Sequence, residues 1–149
     1  TRVETALRQI LERGGVVGGT SAGAAIVSRL MILEGSSCEL VTGRGFGLLE
    51  RAVVDQHFSQ RDRHARLLRV LDDNPGLVGL GIDEDTALIV QANRLRVVGE
   101  SHVTVCIPAE AYQATLVYRL NAGDEVELTP ANPAPRELPL RIALRRPPG

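Results

Sequence analysis

The spacing of apolar residues changes near residues 74–76, Asn-Pro-Gly, and this change limits the fold more than any other feature of the sequence. Before it, helical spacing alternates with short apolar runs and glycine-rich connections. These patterns predict helices over residues 3–11, 22–33 and 60–71, strands over 16–17 and 52–55, and a loop over 35–49. Strands that alternate with helices are typical of a parallel sheet with helical crossovers.

After residue 76 the pattern is one of strands without helices between them. The predicted strands cover residues 78–82, 86–90, 95–98, 103–107, 112–120 and 125–128. Short strands in close succession favour hairpins at the edge of a sheet, and the proline-rich residues 130–149 are expected to form an extended surface tail. The sequence therefore predicts an α/β fold, in which a largely parallel sheet has flanking helices and antiparallel strands added on the C-terminal side.

Composition and charge narrow the class of protein. With 149 residues, 44% of them hydrophobic, the chain can bury one core, and we expect a single domain over residues 1–149. The net charge is −1 and all 17 basic residues are arginines, so neither a nucleic-acid surface nor a polybasic membrane segment is indicated. Cys38 and Cys106 fit no disulfide framework, which is typical of a reducing compartment. We expect a cytoplasmic location and two buried thiols.

A glycine-rich turn at residues 19–23, Gly-Thr-Ser-Ala-Gly, joins the first predicted strand to the second predicted helix. The Gly-x-Ser-x-Gly pattern lets the backbone turn sharply and leaves a serine protruding, as in a nucleophile elbow. Ser21 would then lie at a helix N-terminus, where unpaired N–H groups favour negative charge, and the N–H of Ala22 could donate to an oxyanion. The alternative is that Ser21 is an ordinary helix N-cap. The turn alone does not decide between these two roles.

A serine nucleophile needs a general base, and the chain contains three histidines. His57 is the best candidate, because it follows the second predicted strand and so lies at the same edge of the sheet as the serine. His64 lies within a predicted helix and His102 in a predicted hairpin turn. The carboxylate that orients the imidazole could be Asp55 or one of residues 83–85, Asp-Glu-Asp. Spacing alone leaves this last choice open.

Three blocks of sequence, taken in order, resemble the serine peptidase family S51, the family of cyanophycinase, whose fold is related to that of class I glutamine amidotransferases. The blocks are Gly-Thr-Ser-Ala-Gly-Ala at 19–24, Asp-Gln-His-Phe at 55–58 with arginines at 61, 63 and 66, and Gly-Ile-Asp-Glu-Asp-Thr-Ala at 81–87. The resemblance runs from about residue 14 to residue 98. Family members carry a further N-terminal portion with a second oxyanion N–H. We expect this chain to hold only part of the family fold.

The resemblance implies a serine exopeptidase that works through an acyl-enzyme, without cofactor or metal. Carried over by position, the nucleophile is Ser21, the general base is His57 and the acidic member of the triad is Glu84. The family's substrate is a polyaspartate backbone with arginine on its side chains, which is released as β-aspartyl-arginine dipeptides. The amidotransferase relatives have cysteine at the elbow, so the serine of this chain argues against glutaminase chemistry.

Five further residues are implied in substrate binding. Asp55 and Gln56 suit the polar and cationic groups of such a substrate, and Arg61, Arg63 and Arg66 suit its carboxylates. The alternative for the arginines is a solvated helix face, because at about 100° per residue they fan out rather than align. We expect a peptide or polymer partner, no nucleic acid and no membrane. Homodimer formation is a hypothesis that the sequence leaves open.

Four alternative functions are less consistent with the sequence. An aspartyl dipeptidase of the same family need not hold the same Asp-Gln-His block or arginines. An inactive interaction module would require a broken triad, whereas all three members are present. A nucleophile at Thr1 is disfavoured because a helix rather than a strand follows it. A metal hydrolase built on Asp55, His57 and residues 83–85 is disfavoured because no second histidine has ligand spacing.

Overall fold

The computed structural model describes residues 1–108, 114–130 and 140–145, which form three helices and ten strands. The helices are α1 (Arg2–Glu12), α2 (Ala22–Ala25) and α3 (His64–Asp73). The strands are β1 (Leu30–Gly35), β2 (Leu40–Arg44), β3 (Ala52–Gln56), β4 (Val78–Ile82), β5 (Thr86–Gln91), β6 (Arg94–Gly99), β7 (His102–Ile107), β8 (Leu116–Asn121), β9 (Glu125–Pro130) and β10 (Leu140–Arg145). No helix in these ranges has the length and apolar content needed to cross a membrane.

The strands form two four-stranded sheets and one hairpin. The first sheet has the order β3-β4-β7-β8 and the second the order β10-β9-β6-β5, while β1 pairs with β2. Among the described strands only β3 and β4 are parallel neighbours. The predicted α/β class is confirmed, but the largely parallel sheet is wrong, because the sheets are mixed or antiparallel. Helix α3 supplies a crossover between β3 and β4, whereas the short turns that follow allow only antiparallel neighbours.

The predicted helix over 22–33 and the predicted loop over 35–49 are both wrong. Helix α2 ends after four residues, and the apolar run beyond it becomes β1, which pairs with β2. A short apolar run fits a buried helix or a strand equally well, and its pairing partner decides between them. Here the Ile26 carbonyl accepts a hydrogen bond from the Phe46 N–H at 2.7 Å. The returning chain thus takes an acceptor that a longer helix would have used for itself.

The other predicted elements are present with shifted ends, apart from the strand over 16–17. Helix α1 begins with a capping box of Thr1 and Glu4, and α3 begins at His64 rather than near residue 60. Val16 is 91% exposed and belongs to no strand. Residues 112–113 and most of the proline-rich tail lie outside the described residues. Within the tail, β10 pairs with β9.

Among the residues whose burial the structure describes, two clusters of apolar side chains form the core, and they lie on opposite faces of the first sheet. Val54 belongs to the cluster that joins the two sheets, while its neighbour Val53 belongs to the cluster under α3, as alternation along a strand requires. Cys106 is buried in the second cluster, as predicted, and burial raises its pKa to about 11. Cys38 is exposed, so its predicted burial is wrong.

Candidate active site

Ser21 lies on a strained turn between the glycine-rich segment and α2. Its backbone has φ 52° and ψ −122°, and its side chain makes no capping hydrogen bond to the helix. An N-cap residue normally adopts extended backbone angles and bonds the first turn, so this conformation is not that of a cap. Positive φ is rare for residues other than glycine and occurs where surrounding structure enforces it.

A close approach of the backbone to itself explains the glycine before this serine. A Cβ atom on Gly19 would lie only 2.0 Å from the carbonyl oxygen of Gly23. Any other residue would force the turn open, since real Cβ atoms do not come so close to backbone oxygen. Glycine at position 19 is therefore a steric requirement of this turn, and the turn presents the Ser21 side chain outward, where it is exposed.

A chain of two hydrogen bonds runs from Ser21 through His57 to Glu84. Ser21 Oγ lies 3.0 Å from His57 Nε2, and His57 Nδ1 lies 2.7 Å from Glu84 Oε1. Because a carboxylate only accepts, Nδ1 carries the proton, and Nε2 is left to accept from the serine hydroxyl. Of the carboxylates that spacing left open, Glu84 is the one beside the imidazole.

The parallel pairing of β3 and β4 brings the last two members together. His57 follows β3 directly and has φ 49°, while Glu84 comes two residues after the end of β4. The Phe58 N–H donates to the Ile82 carbonyl at 3.1 Å, which ties the two strand ends to each other. Phe58 itself is fully buried, and a Cβ atom on Gly81 would lie 2.4 Å from its ring. Gly81 therefore leaves the space that seats Phe58 beneath the His57 turn.

The predicted oxyanion donor, the Ala22 N–H, opens helix α2. None of the hydrogen bonds within the described part of the chain uses this N–H. The predicted assistance from a helix dipole is wrong, because a helix of four residues lacks the aligned peptides of a long one. What remains for an oxyanion is the local N–H group itself.

The predicted substrate-binding residue Asp55 is instead an internal anchor. Its side chain is 1% exposed, and Arg66 holds both carboxylate oxygens, with Nε to Oδ2 at 2.7 Å and Nη2 to Oδ1. Arg63 adds a contact to Oδ1 at 3.3 Å and donates to the Gln56 carbonyl at 2.6 Å. Burial and the nearby Arg66 charge lower the pKa of Arg63, with Asp55 opposing them. A buried carboxylate with both oxygens engaged has no accessible face for a substrate cation.

The remaining predicted binding residues are differently placed. Arg61 is exposed, and its side chain makes no hydrogen bond or ion pair in the ranges that the structure describes. Gln56 keeps a buried side-chain oxygen, Oε1, without a hydrogen-bond partner.

One groove of about 590 Å³ is lined by Arg61, Arg63 and Arg66, and its facing wall is the end of β1 with Glu34 and the residues after it. A second depression of about 610 Å³, near residues 74–77, contains none of the predicted site residues.

The other two histidines have separate environments. The His64 ring packs at a tilt on Phe58, with 4.5 Å between centroids, and is not part of the hydrogen-bond chain. His102 contacts Asp83 and Ser59, a cluster that the sequence analysis did not assemble. No pattern of spacing joins residues 59, 83 and 102, because they follow β3, follow β4 and begin β7, and these strands must pair before the residues meet. Within the described ranges no group of three His, Cys, Asp or Glu side chains is arranged to hold a metal ion.

Comparison with known proteins gives one matching family. The sequence profile of Peptidase family S51 matches residues 1–98. A cyanophycinase from Synechococcus elongatus is 40% identical over 109 residues, which are 68% of this chain and 34% of that protein. A cyanophycinase from Geminocystis herdmanii is 38% identical over 130 residues, which are 82% of this chain and 47% of that protein.

A solved structure is also similar. It is the crystal structure of a peptidase from an acI-B1 Actinobacterium, which matches with a TM-score of 0.56 and 27% sequence identity. The match covers 76% of this chain and 46% of that one. The chain therefore spans between a third and a half of the length of the relatives that it matches.

Proposed function

This chain belongs to peptidase family S51, and from that premise we propose that it carries the catalytic triad of a serine-type peptidase. In this proposal Ser21 is the nucleophile, His57 the general base and Glu84 the residue that orients the imidazole. The supporting observation is the hydrogen-bond chain from Ser21 to Glu84 on a turn of positive φ. An activated nucleophile needs this connectivity, with the base in turn oriented by a third group.

The proposed reaction has two stages. Ser21 Oγ attacks the scissile carbonyl carbon while its proton passes to His57 Nε2, and the Ala22 N–H donates to the developing oxyanion. The imidazolium then gives its proton to the departing amine as the C–N bond breaks, which leaves an acyl group on Ser21. Water then attacks the acyl carbon and transfers a proton to His57 Nε2. As the ester C–O bond breaks, that proton passes to Ser21 Oγ and the acid is released. Glu84 accepts from Nδ1–H throughout and stabilises the imidazolium.

We propose as substrate an arginine-bearing polyaspartate, cleaved to β-aspartyl-arginine dipeptides. The support comes from curated relatives that are named cyanophycinase, and from the groove, whose lining carries both positive and negative side chains. Arg61 offers a guanidinium without a partner on the described chain, and Arg63 is held at the groove by Asp55 and the Gln56 carbonyl. Guanidinium groups suit the free carboxylates of such a polymer because they can bind them with two hydrogen bonds.

We further propose that the pair β3–β4 and the Ser21 turn are part of a class I glutamine amidotransferase-like fold. The support is the position of the nucleophile turn beside the carboxyl ends of two parallel strands, which is where α/β proteins place their ligands.

The first test replaces the nucleophile in the full-length protein. Ser21→Ala is expected to lower release of β-aspartyl-arginine by on the order of 10³-fold or more, because no other group replaces the attacking oxygen. A fluorophosphonate probe should label the wild-type protein and not this variant. Thr42→Ala, which removes an exposed hydroxyl on β2, serves as the matched control and should retain both activity and labelling. Retained dipeptide release by Ser21→Ala would refute the proposal.

A further inference from the structure

A second carboxylate–imidazole–hydroxyl chain lies beside the first one. Asp83 has a side chain that is 1% exposed, and its Oδ2 lies 2.9 Å from His102 Nδ1. On the other side of the ring, His102 Nε2 lies 3.2 Å from Ser59 Oγ. The connectivity Asp83–His102–Ser59 thus repeats that of Glu84–His57–Ser21. Asp83 precedes Glu84 in the chain, and Ser59 comes two residues after His57.

The Asp83 carboxylate bonds to two other segments of the chain. Its Oδ1 accepts from the Ser59 N–H at 3.0 Å, in the turn after β3. Its Oδ2 accepts from Ser101 Oγ at 2.7 Å, in the turn between β6 and β7. The Asp83 N–H in turn donates to the His102 carbonyl at 3.3 Å. The carboxylate is therefore a common acceptor for the turn that carries His57 and for the turn that precedes β7.

These donors keep the buried carboxylate ionised. Burial by itself would raise the pKa of Asp83, but the hydrogen bonds from Ser101 and Ser59 and the nearby His102 outweigh it and lower the pKa. Arg119 Nη2 lies 3.0 Å from His102 Nδ1. We assign the Nδ1 proton to the bond with Asp83, since that carboxylate is buried and cannot donate. The Arg119 guanidinium and the Asp83 carboxylate thus lie beside the same nitrogen of the ring.

Ser59 is not arranged to be a second nucleophile. Its N–H donates to Asp83 and so is not available to an oxyanion. Ser59 is also not among the residues with positive φ, whereas Ser21 is. What the cluster does supply is restraint, because Ser59 is held at its N–H by Asp83 and at its hydroxyl by His102.

We propose that Asp83, His102 and Ser59 are positioning residues for the triad, which set the distance between His57 and Glu84. This inference rests on the proposed function. Asp83 adjoins Glu84 along the chain, and Ser59 is tied to Asp83 through its N–H. The cluster therefore fixes the two turns relative to each other. Losing the Ser59 hydroxyl bond loosens the His57 turn and slows the chemical step, while the groove of Arg61 and Arg63 is untouched.

The test compares Ser59→Val with Ser59→Thr in the full-length protein. The two side chains have nearly the same shape, so only the hydroxyl differs. We expect Ser59→Val to lower kcat by on the order of 10- to 100-fold with KM within about twofold, and Ser59→Thr to recover most of the loss. A second comparison sets Asp83→Asn against Glu100→Gln as its control, because both variants replace a carboxylate with an amide. Glu100 lies in the turn joined to β7, and its side chain makes no hydrogen bond or ion pair within the described chain. Glu100→Gln should leave kcat unchanged.

A second readout does not depend on turnover. The Nδ1–H of His57 in its 2.7 Å bond to Glu84 should give a downfield proton resonance, identified by its loss in His57→Gln. We expect Ser59→Val and Asp83→Asn to shift or broaden it, and Glu100→Gln to leave it in place. Equal kcat for Ser59→Val and wild type, together with an unchanged resonance, would overturn the positioning role. Failure of the proposed function looks different: Ser21→Ala would match wild type while the resonance still responded to Ser59→Val.

Discussion

At the scale of single residues, the backbone angles of Ser21 distinguish between two roles that its residue type alone allows. Ser21 could have been an N-cap or a nucleophile, and its positive φ and its bond to His57 Nε2 distinguish it from a cap. For Asp55, the structure replaces a predicted binding role with a structural one. Its residue type suited a substrate cation, yet its burial under Arg66 makes it an anchor for the arginines. Residue type determines which interactions a side chain can make, and burial determines which partners it can reach.

Substitution of two arginines of the groove should have different effects, one on stability and the other on substrate binding. Arg66→Ala leaves the Asp55 carboxylate buried without its main partner, and we expect a loss of about 3–5 kcal/mol in the free energy of unfolding. Arg61→Ala removes an exposed side chain, so stability should stay within about 0.5 kcal/mol of wild type while KM for the polymer rises. Urea unfolding and steady-state kinetics measure the two effects. An equal loss of stability in both variants would contradict these roles.

At the scale of elements, the parallel pair β3–β4 does most to form the site. Both strands end at one edge, and the residues that follow them, His57 and Glu84, meet across that edge. The sequence located β3, β4 and α3 because each has a strong apolar pattern and a turn signal at its end. It misplaced α2 and β1, because the apolar run between them is compatible with either structure until β2 supplies hydrogen bonds.

The packing under the His57 turn gives a prediction for β4. Gly81→Ala places a methyl group 2.4 Å from the Phe58 ring, so either the ring or the strand must move. We expect a loss of about 1–3 kcal/mol in the free energy of unfolding and a lower kcat, because Phe58 adjoins His57. Gly18→Ala is the control, since a Cβ atom there meets nothing within 4 Å. The free energies of unfolding can be measured by thermal or urea unfolding. Equal values for Gly81→Ala, Gly18→Ala and wild type would rule out this packing role.

At the scale of the whole molecule, segments distant in the chain converge on the site. Four segments meet there, at residues 20–23, 56–63, 83–85 and 100–102. Hydrogen bonds connect them into two adjacent series of serine, histidine and carboxylate side chains. Both faces of the first sheet are covered, one by α3 and one by the second sheet. The site is therefore supported by most of the described core rather than by one element.

The buried carboxylate predicts how stability responds to acid. The pKa of Asp83 is lower in the folded chain than its ordinary 3.8, so its contribution is present in full above that value. It is lost as the pH falls through the lowered folded pKa, because the proton then binds the unfolded chain more readily. We expect the stability difference between wild type and Asp83→Asn to be constant near neutral pH and to shrink below about pH 4. Urea unfolding across this range measures it, and a difference that grows with acid would contradict the sign.

Local features of the amino-acid sequence were enough to predict a sharp turn at Gly19–Gly23, strands β3 and β4, and residues able to act as nucleophile, base and acid. These follow from steric limits and short-range periodicity, which a few neighbouring residues define. The tertiary structure decided which carboxylate meets His57, which arginines face the groove, and that Asp83, His102 and Ser59 form a cluster. Those outcomes depend on strand pairing and burial between residues far apart in the chain, and no local pattern records them.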